Sequence, residues 1–243
     1  MSMEEVQSPQ APQQAQAKSD FIVSNGIKFP KQKPFITGNV RGALRKGSYE
    51  AREAAAAQKL IIEDDVVVEL GARLDYMSTL IATKTKPAHV HTFEANPQLI
   101  PYIRSVHAAN EVENVTLHHA ILGPRKGKAD FYVRERFIVS SLAPIEGTNV
   151  ISIEQVEMRN AKTVFKEVKP TVLVCDIEGG EADLIPAMDL SNLRAAMIEL
   201  HPQWIGPEGV NAVFSAFISA GMAYWSRGSH GKVVCFRRKW PVR

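Results

Sequence analysis

Residues 66–82 read VVVELGARLDYMSTLIA, and this stretch decides the fold. Val66–Leu70 is a short apolar run rich in β-branched residues, the pattern of a strand buried on both faces. Gly71 stands at its exit, where a residue without a Cβ permits a tight turn and lets the backbone lie close to a ligand. Tyr76–Thr83 then reads as a helix. Strand, glycine turn and helix in that order are the opening unit of an α/β sheet.

The alternation continues downstream. Ala88–Glu94 (AHVHTFE) reads as a second strand, Pro97–Asn110 as a second helix with Pro101 in its first turn, and Val115–Leu122 as a third strand. Lys128–Val133 and Phe137–Leu142 suit a pair of strands inserted as a hairpin, whereas Ser152–Arg159 is ambiguous. Thr171–Asp176 (TVLVCD) and Ala195–Leu200 (AAMIEL) are buried strands, with a short helix at Ala182–Met188 between them and an amphipathic helix at Val210–Ala220 after them. Met222–Ser226 and Lys232–Arg237 suit a terminal antiparallel pair. Upstream, EAREAAAAQKL is full of strong helix formers, so a helix is expected from Tyr49 to Leu60 with Ser48 as its N-cap. Residues 21–47 show little periodicity and read as an irregular arm with one short strand at Phe21–Val23. The expected organisation is a disordered tail over 1–20, an arm and helix over 21–60, and one domain over 61–243, built on a doubly wound, mostly parallel sheet.

Composition narrows the function classes. With 29 basic and 26 acidic residues the net charge of +3 is too small to indicate a nucleic-acid or membrane partner. The basic clusters at Lys28–Lys46 and Arg237–Arg243 read as solvated ends. No run approaches the roughly 18 apolar residues of a membrane helix. The Gln- and Pro-rich first residues lack the apolar stretch of a signal peptide. Cys175 and Cys235 each lie in an apolar run and read as free core residues, which suits a reducing cytoplasm.

Acidic residues recur at strand exits: Glu69, Glu94, Asp176 and Glu199. In an open parallel sheet, ligands bind beyond the carboxyl ends of the strands, so these four face a common crevice. Glu94 follows Gly71 at the distance where an acidic residue accepts both hydroxyls of a ribose. The turn GARLDY holds one glycine where a dinucleotide fingerprint needs three, which counts against a pyrophosphate cradle and a nicotinamide enzyme.

GSYEAREA (47–54), VVVELGA (66–72), HTFEANP (91–97), LVCDIEGGEADLI (173–185) and MIELHP (197–202) resemble the FkbM-type methyltransferases, a branch of the class I S-adenosylmethionine-dependent, Rossmann-like enzymes. The resemblance covers about residues 45–240, and DIEGGE is its most distinctive piece. It implies a seven-stranded sheet with a reversed last strand and S-adenosyl-L-methionine over the tips of the first three strands. Glu69, Gly71 and Ala72 would then line its methionine and ribose part. Glu94 would take the ribose hydroxyls, with Asn96 beside the adenine and His119 and Ala120 along the adenine edge. Tyr49 and Glu50 would close over the cofactor, and Asp176 would border both cofactor and acceptor. The implied reaction is methylation of a hydroxyl on a small molecule, such as a sugar or secondary metabolite, with Asp176, Glu178 and His201 as candidate catalytic bases. Asp176 and Glu178 alone are a weak ligand pair, so no metal centre is expected.

One turn departs from that pattern. Related sequences read E-L-G-A-G-x-G, whereas here Arg73 and Asp75 hold the two later glycine positions. An arginine there must swing out or occupy cofactor space, and Asp75 brings a negative charge toward the cofactor carboxylate. Two readings stay open: a rearranged turn that still binds, or an impaired, catalytically silent binding module on the same fold.

Overall fold

The computed structural model describes residues 19–134 and 149–239. The N-terminal arm is more ordered than its weak periodicity predicts. β1 (Phe21–Ser24) and β2 (Ile27–Pro30) form an antiparallel hairpin. Its turn residues Asn25 and Gly26 both have positive φ, +50° and +80°. Asn-Gly with that geometry is the favoured two-residue hairpin turn, a signal present in the sequence. α1 (Gly38–Lys46) follows, burying Val40 and Leu44, and ends on Gly47 at φ +64°. Ser48 therefore does not cap the next helix. Its backbone N–H donates to Ala43 at 3.0 Å, completing the end of α1. α2 (Ala51–Leu60) begins later than expected, after Glu50 at φ +46°.

β3 (Val66–Leu70) forms as its apolar run predicts. α3 (Tyr76–Leu80) runs on into a π-helical turn over Ile81–Thr85. β4 (His89–Glu94), α4 (Leu99–Ala109) and β5 (Val115–His119) complete the first half of the main sheet. The single strand expected over Val115–Leu122 breaks at Ala120. Beyond it β6 (Ile121–Gly123) pairs with β8 (Val150–Asn160), which also pairs antiparallel with β7 (Gly127–Arg134). The ambiguous Ser152–Arg159 segment is thus the central strand of a small second sheet, and Phe137–Leu142 lies outside the described residues. The chain continues through α5 (Ala161–Val168), β9 (Val172–Cys175), α6 (Glu181–Leu184), β10 (Ala195–Glu199), α7 (Pro202–Ser219), β11 (Ala223–Tyr224) and β12 (Val233–Arg237). Inside α7 the backbone leaves helical geometry at Gly206, just before Pro207.

The seven-stranded sheet has the order β11-β12-β10-β9-β3-β4-β5, with β12 antiparallel to β10. β3 pairs in parallel with both β4 and β9, so the strand order reverses at β3 and a crevice opens at its carboxyl end. Side-chain alternation sorts the strands between two cores. Val67, Val172, Val174, Ala195 and Met197 face one layer, which includes α2 and α4. Val68, Leu70, Leu173, Cys175, Ala196 and Ile198 face the other, packed by α5 and α7. The same period of two turns Glu69 and Glu199 toward the α2 side, so α2 roofs the acidic strand ends. At the opposite ends of the strands, buried Asp65 pairs with Arg194 and accepts the Thr171 hydroxyl at 2.7 Å, tying β3, β9 and β10 together. Both cysteines are buried and free, and among the described residues no helix is long and apolar enough to cross a membrane.

His89, His91 and His118 lie side by side on β4 and β5. His118 stacks on His91 and on Phe93, and Arg159 lies 3.3 Å from its Nδ1. Burial first, then the positive charge of Arg159 and the neighbouring imidazoles, pushes His118 down from its ordinary 6.5 to about 4. The folded chain therefore refuses a proton that the unfolded chain accepts. Stability is expected to fall as pH drops from about 6.5 toward about 4, with a shallow slope because the ring is half exposed. Urea midpoints followed over that range should decline less in His118→Gln than in the parent, and parallel declines would contradict the assignment.

Candidate active site at the strand tips

The turn after β3 is held by its neighbours. The N–H groups of Gly71 and Ala72 both donate to the Phe93 carbonyl, at 3.0 and 3.3 Å. Gly71 has φ +91°, and a Cβ there would lie 2.1 Å from the Asp176 carbonyl oxygen. The exits of β3 and β9 therefore touch backbone to backbone. Ala72 turns its methyl into the core, so only its backbone borders the crevice.

Glu94 is buried, and its two oxygens accept separate backbone N–H groups, from Arg73 at 2.8 Å and from Asn96 at 2.7 Å. Burial nonetheless raises its pKa, against the pull of those N–H groups. Asn96 caps the next turn by accepting from the Gln98 N–H, and its buried Nδ2 has no partner. His119 lies on the surface with Nε2 3.2 Å from the Ala95 carbonyl oxygen, and Ala120 behind it is buried. Glu94, Asn96, His119 and Ala120 thus adjoin one another at the β4 and β5 tips.

On the other side, Asp176, Glu178 and His201 converge as a group. His201 is 3% exposed. Its Nε2 lies 3.4 Å from Glu178, 3.7 Å from Asp176 and 4.0 Å from Glu199. Glu181, fully buried, fixes it from behind by accepting its backbone N–H at 2.8 Å. Burial disfavours an imidazolium, but Glu181, Glu178 and Asp176 outweigh it and hold the His201 pKa above its ordinary value. Glu199 is raised to about 7 by burial and by Asp176, and Glu50 to about 8 by burial despite Arg73. Tyr49 packs edge-on against Tyr76 and is likewise raised by burial and by Glu50. Glu69 is buried beside Thr92, which donates to one of its oxygens, while its Oε1 has no partner. Carboxylates therefore outnumber cations across the whole crevice.

Arg73 answers the question its sequence position poses. Its backbone keeps a left-handed φ of +51°, natural to glycine, and its side chain turns inward. The guanidinium reaches Glu178 at 2.5 Å and Asp176 at 3.3 Å, with Glu50 and Tyr49 alongside. Asp75 corrects the expectation made for it. It also holds a positive φ, +64°, but its carboxylate is fully buried away from the crevice. It accepts from Ser78 and Thr79 and lies 2.8 Å from His107 Nε2 on α4, so it braces α3 and brings no charge to the cofactor side. Between the strand tips and α2 a cavity of about 20 Å3 remains, lined by Glu50, Glu53, Glu69, Asp176 and Glu199 among others. Glu199 was legible as an acidic strand exit but carried no spacing that assigned it a role. Glu53 became visible only through the fold.

The described arrangement bears comparison with known proteins. Similar solved structures include a precorrin-6y C5,15-methyltransferase from Geobacter metallireducens, at 14% identity and TM-score 0.47 over 86% of this chain and 91% of that one. TYW2 from M. jannaschii, solved with AdoMet, is similar at 14% identity and TM-score 0.48 over 92% and 89%. A putative transferase from Pyrococcus horikoshii is similar at 16% identity and TM-score 0.49 over 90% and 72%. None of these carries information about a substrate here, and no curated protein matches by sequence. The family model for the methyltransferase FkbM domain matches residues 65–224, from the residue before β3 to the end of β11. This chain belongs to the FkbM methyltransferase domain family, whose members depend on S-adenosylmethionine.

Proposed function

We propose that the chain transfers a methyl group from S-adenosylmethionine to a hydroxyl of a small molecule, a sugar or secondary metabolite. The observation that carries this is the convergence of Asp176, Glu178 and His201 at the β9 and β10 tips, next to the Gly71 turn. The fit of the cofactor is supported from two sides. The crevice is acidic, which favours a ligand bearing a cationic sulfonium. The unpartnered Asn96 Nδ2 and the buried Glu94 carboxylate supply a donor and an acceptor on the nucleoside side.

In this reading Glu94 orients the ribose, Asn96, His119 and Ala120 border the adenine, and Glu69, Gly71 and Ala72 flank the methionine part. Tyr49 and Glu50, at the start of α2, close over it. Bound there, S-adenosylmethionine supplies an electrophilic methyl group for in-line displacement by an oxygen. Asp176, Glu178 and His201 hold the acceptor hydroxyl and take its proton as the oxygen attacks. Trp204, half exposed and packed on Gly179 beside Glu178, offers a wall for the acceptor. The cavity of about 20 Å3 holds one water, so the crevice must widen for the cofactor, and a ligand that takes the place of the guanidinium beside Asp176 and Glu178 displaces Arg73 from its ion pairs.

A second reading rests on the same side chain. With Arg73 fixed over the crevice, the domain would be a silent binding module. Incubation with methyl-labelled cofactor and a panel of hydroxylated small molecules tests the first reading. Label on an acceptor oxygen, lost in Asp176→Asn, is expected. Label carried to RNA or to nitrogen, or to no acceptor in the panel, would overturn it.

A further inference from the structure

Asp176, Glu199 and His201 come from the β9 exit, the end of β10 and the residue pair that follows it. One ligand atom from each lies within 4.8 Å of the others. The imidazole Nε2 is 3.7 Å from Asp176 and 4.0 Å from Glu199, too long for hydrogen bonds. Three buried or half-buried ligand groups face one another without bonding. Arg73 donates to Asp176 at 3.3 Å and makes its shorter contact, 2.5 Å, with Glu178, so an ion held by Asp176 replaces the longer of its two pairings.

A second observation points to a ligand at the same place. The cavity of about 20 Å3 is bordered by Asp176 and Glu199, and also by Glu69, which is 1% exposed. Glu69 Oε1 has no hydrogen-bond partner. A buried carboxylate oxygen without a partner, on a residue that borders a space large enough for one water, calls for a water or an ion.

We propose that Asp176, Glu199 and His201 form a divalent-cation site, with Glu69 on the wall of the adjoining cavity. Two carboxylates and one imidazole suit an ion that accepts both oxygen and nitrogen ligands, such as Mn2+, better than Ca2+, which takes oxygen ligands almost exclusively. Ligand atoms around an ion at about 2.1 Å sit roughly 3–3.5 Å apart, so small side-chain adjustments close the site. Three protein ligands leave positions open, the arrangement of a catalytic rather than a structural metal. The inference rests on the methyl-transfer reading and narrows it: an open position here would face the acceptor hydroxyl and lower its pKa, leaving Glu178 as the group that takes the proton.

The test uses the full chain without cofactor or acceptor. Mn2+ is titrated and followed by electron paramagnetic resonance and calorimetry. One bound ion per chain is expected, weakened roughly tenfold or more in Glu199→Gln and in His201→Gln. Asp189→Asn, an exposed carboxylate far from the cluster, should match the parent. Because His201 is buried and its replacement can disturb folding, the half-exposed Glu199 variant decides. No stoichiometric binding at millimolar Mn2+, or equal binding by parent and Glu199→Gln, overturns the site. A chain that binds Mn2+ through these residues but methylates nothing overturns the functional reading and leaves the site standing.

Discussion

Gly71→Ala is expected to cost roughly 2–6 kcal/mol of stability. Two independent effects add. The backbone at φ +91° is open to glycine and strained for any residue with a Cβ. The new Cβ would also lie 2.1 Å from the Asp176 carbonyl oxygen, a backbone atom that cannot rotate away. Relief requires β3 and β9 to part at their tips, where Asp176 N–H donates to Leu70 at 2.9 Å. Both the core between these strands and the crevice geometry are lost together. Chemical denaturation measures it directly: a midpoint close to that of the parent would show that the two strand exits are not in contact.

Arg73→Gly is expected to strengthen cofactor binding. In the parent, the guanidinium must leave Glu178 and Asp176 before a ligand enters, and that separation is charged against the affinity. For two partly exposed ion pairs the cost is about 0.4–2 kcal/mol, equivalent to roughly 2- to 30-fold in Kd. Glycine also relaxes a left-handed backbone that arginine adopts under strain, so folding is expected to survive. Asp75→Gly should behave in the opposite way. Asp75 braces Ser78, Thr79 and His107 from a buried position, so its loss weakens the fold without opening the crevice. Calorimetric titration of Arg73→Gly with S-adenosylhomocysteine, compared with the parent, checks the first claim. Equal affinities would mean that Arg73 does not obstruct the site.

The contrast between these two positions shows what the sequence could convey. Both interrupt a glycine pattern, and both keep the positive φ that glycine would have supplied. From the sequence they looked alike. Which way each side chain points depends on what surrounds the turn: Asp176 and Glu178 from β9 draw Arg73 inward, and His107 on α4 receives Asp75. Those partners are distant in the chain, and no local pattern encodes them. The central strands β9 and β10 were legible because burial on both faces leaves continuous apolar runs. Ala120 was not legible as a break, since VTLHHAIL (115–122) holds no glycine, proline or other turn residue while its two halves join different sheets. The hairpin at Asn25-Gly26 and the helix ending at Gly47 had local signals that weak periodicity concealed. In the site, the acidic strand exits were readable one by one. The place of Glu50 over them came only from the family resemblance, and that of Glu53 was not foreseen, because it depends on how α2 packs across the sheet.

The central claim is that the crevice at the β3 and β4 tips holds S-adenosylmethionine against Glu94. Calorimetric titration of the unmodified chain with S-adenosylhomocysteine, repeated with Glu94→Gln, tests it most directly. One-to-one binding in the parent, weakened roughly tenfold or more in the variant, is the predicted result. No heat at millimolar ligand, or equal binding by parent and variant, would contradict it.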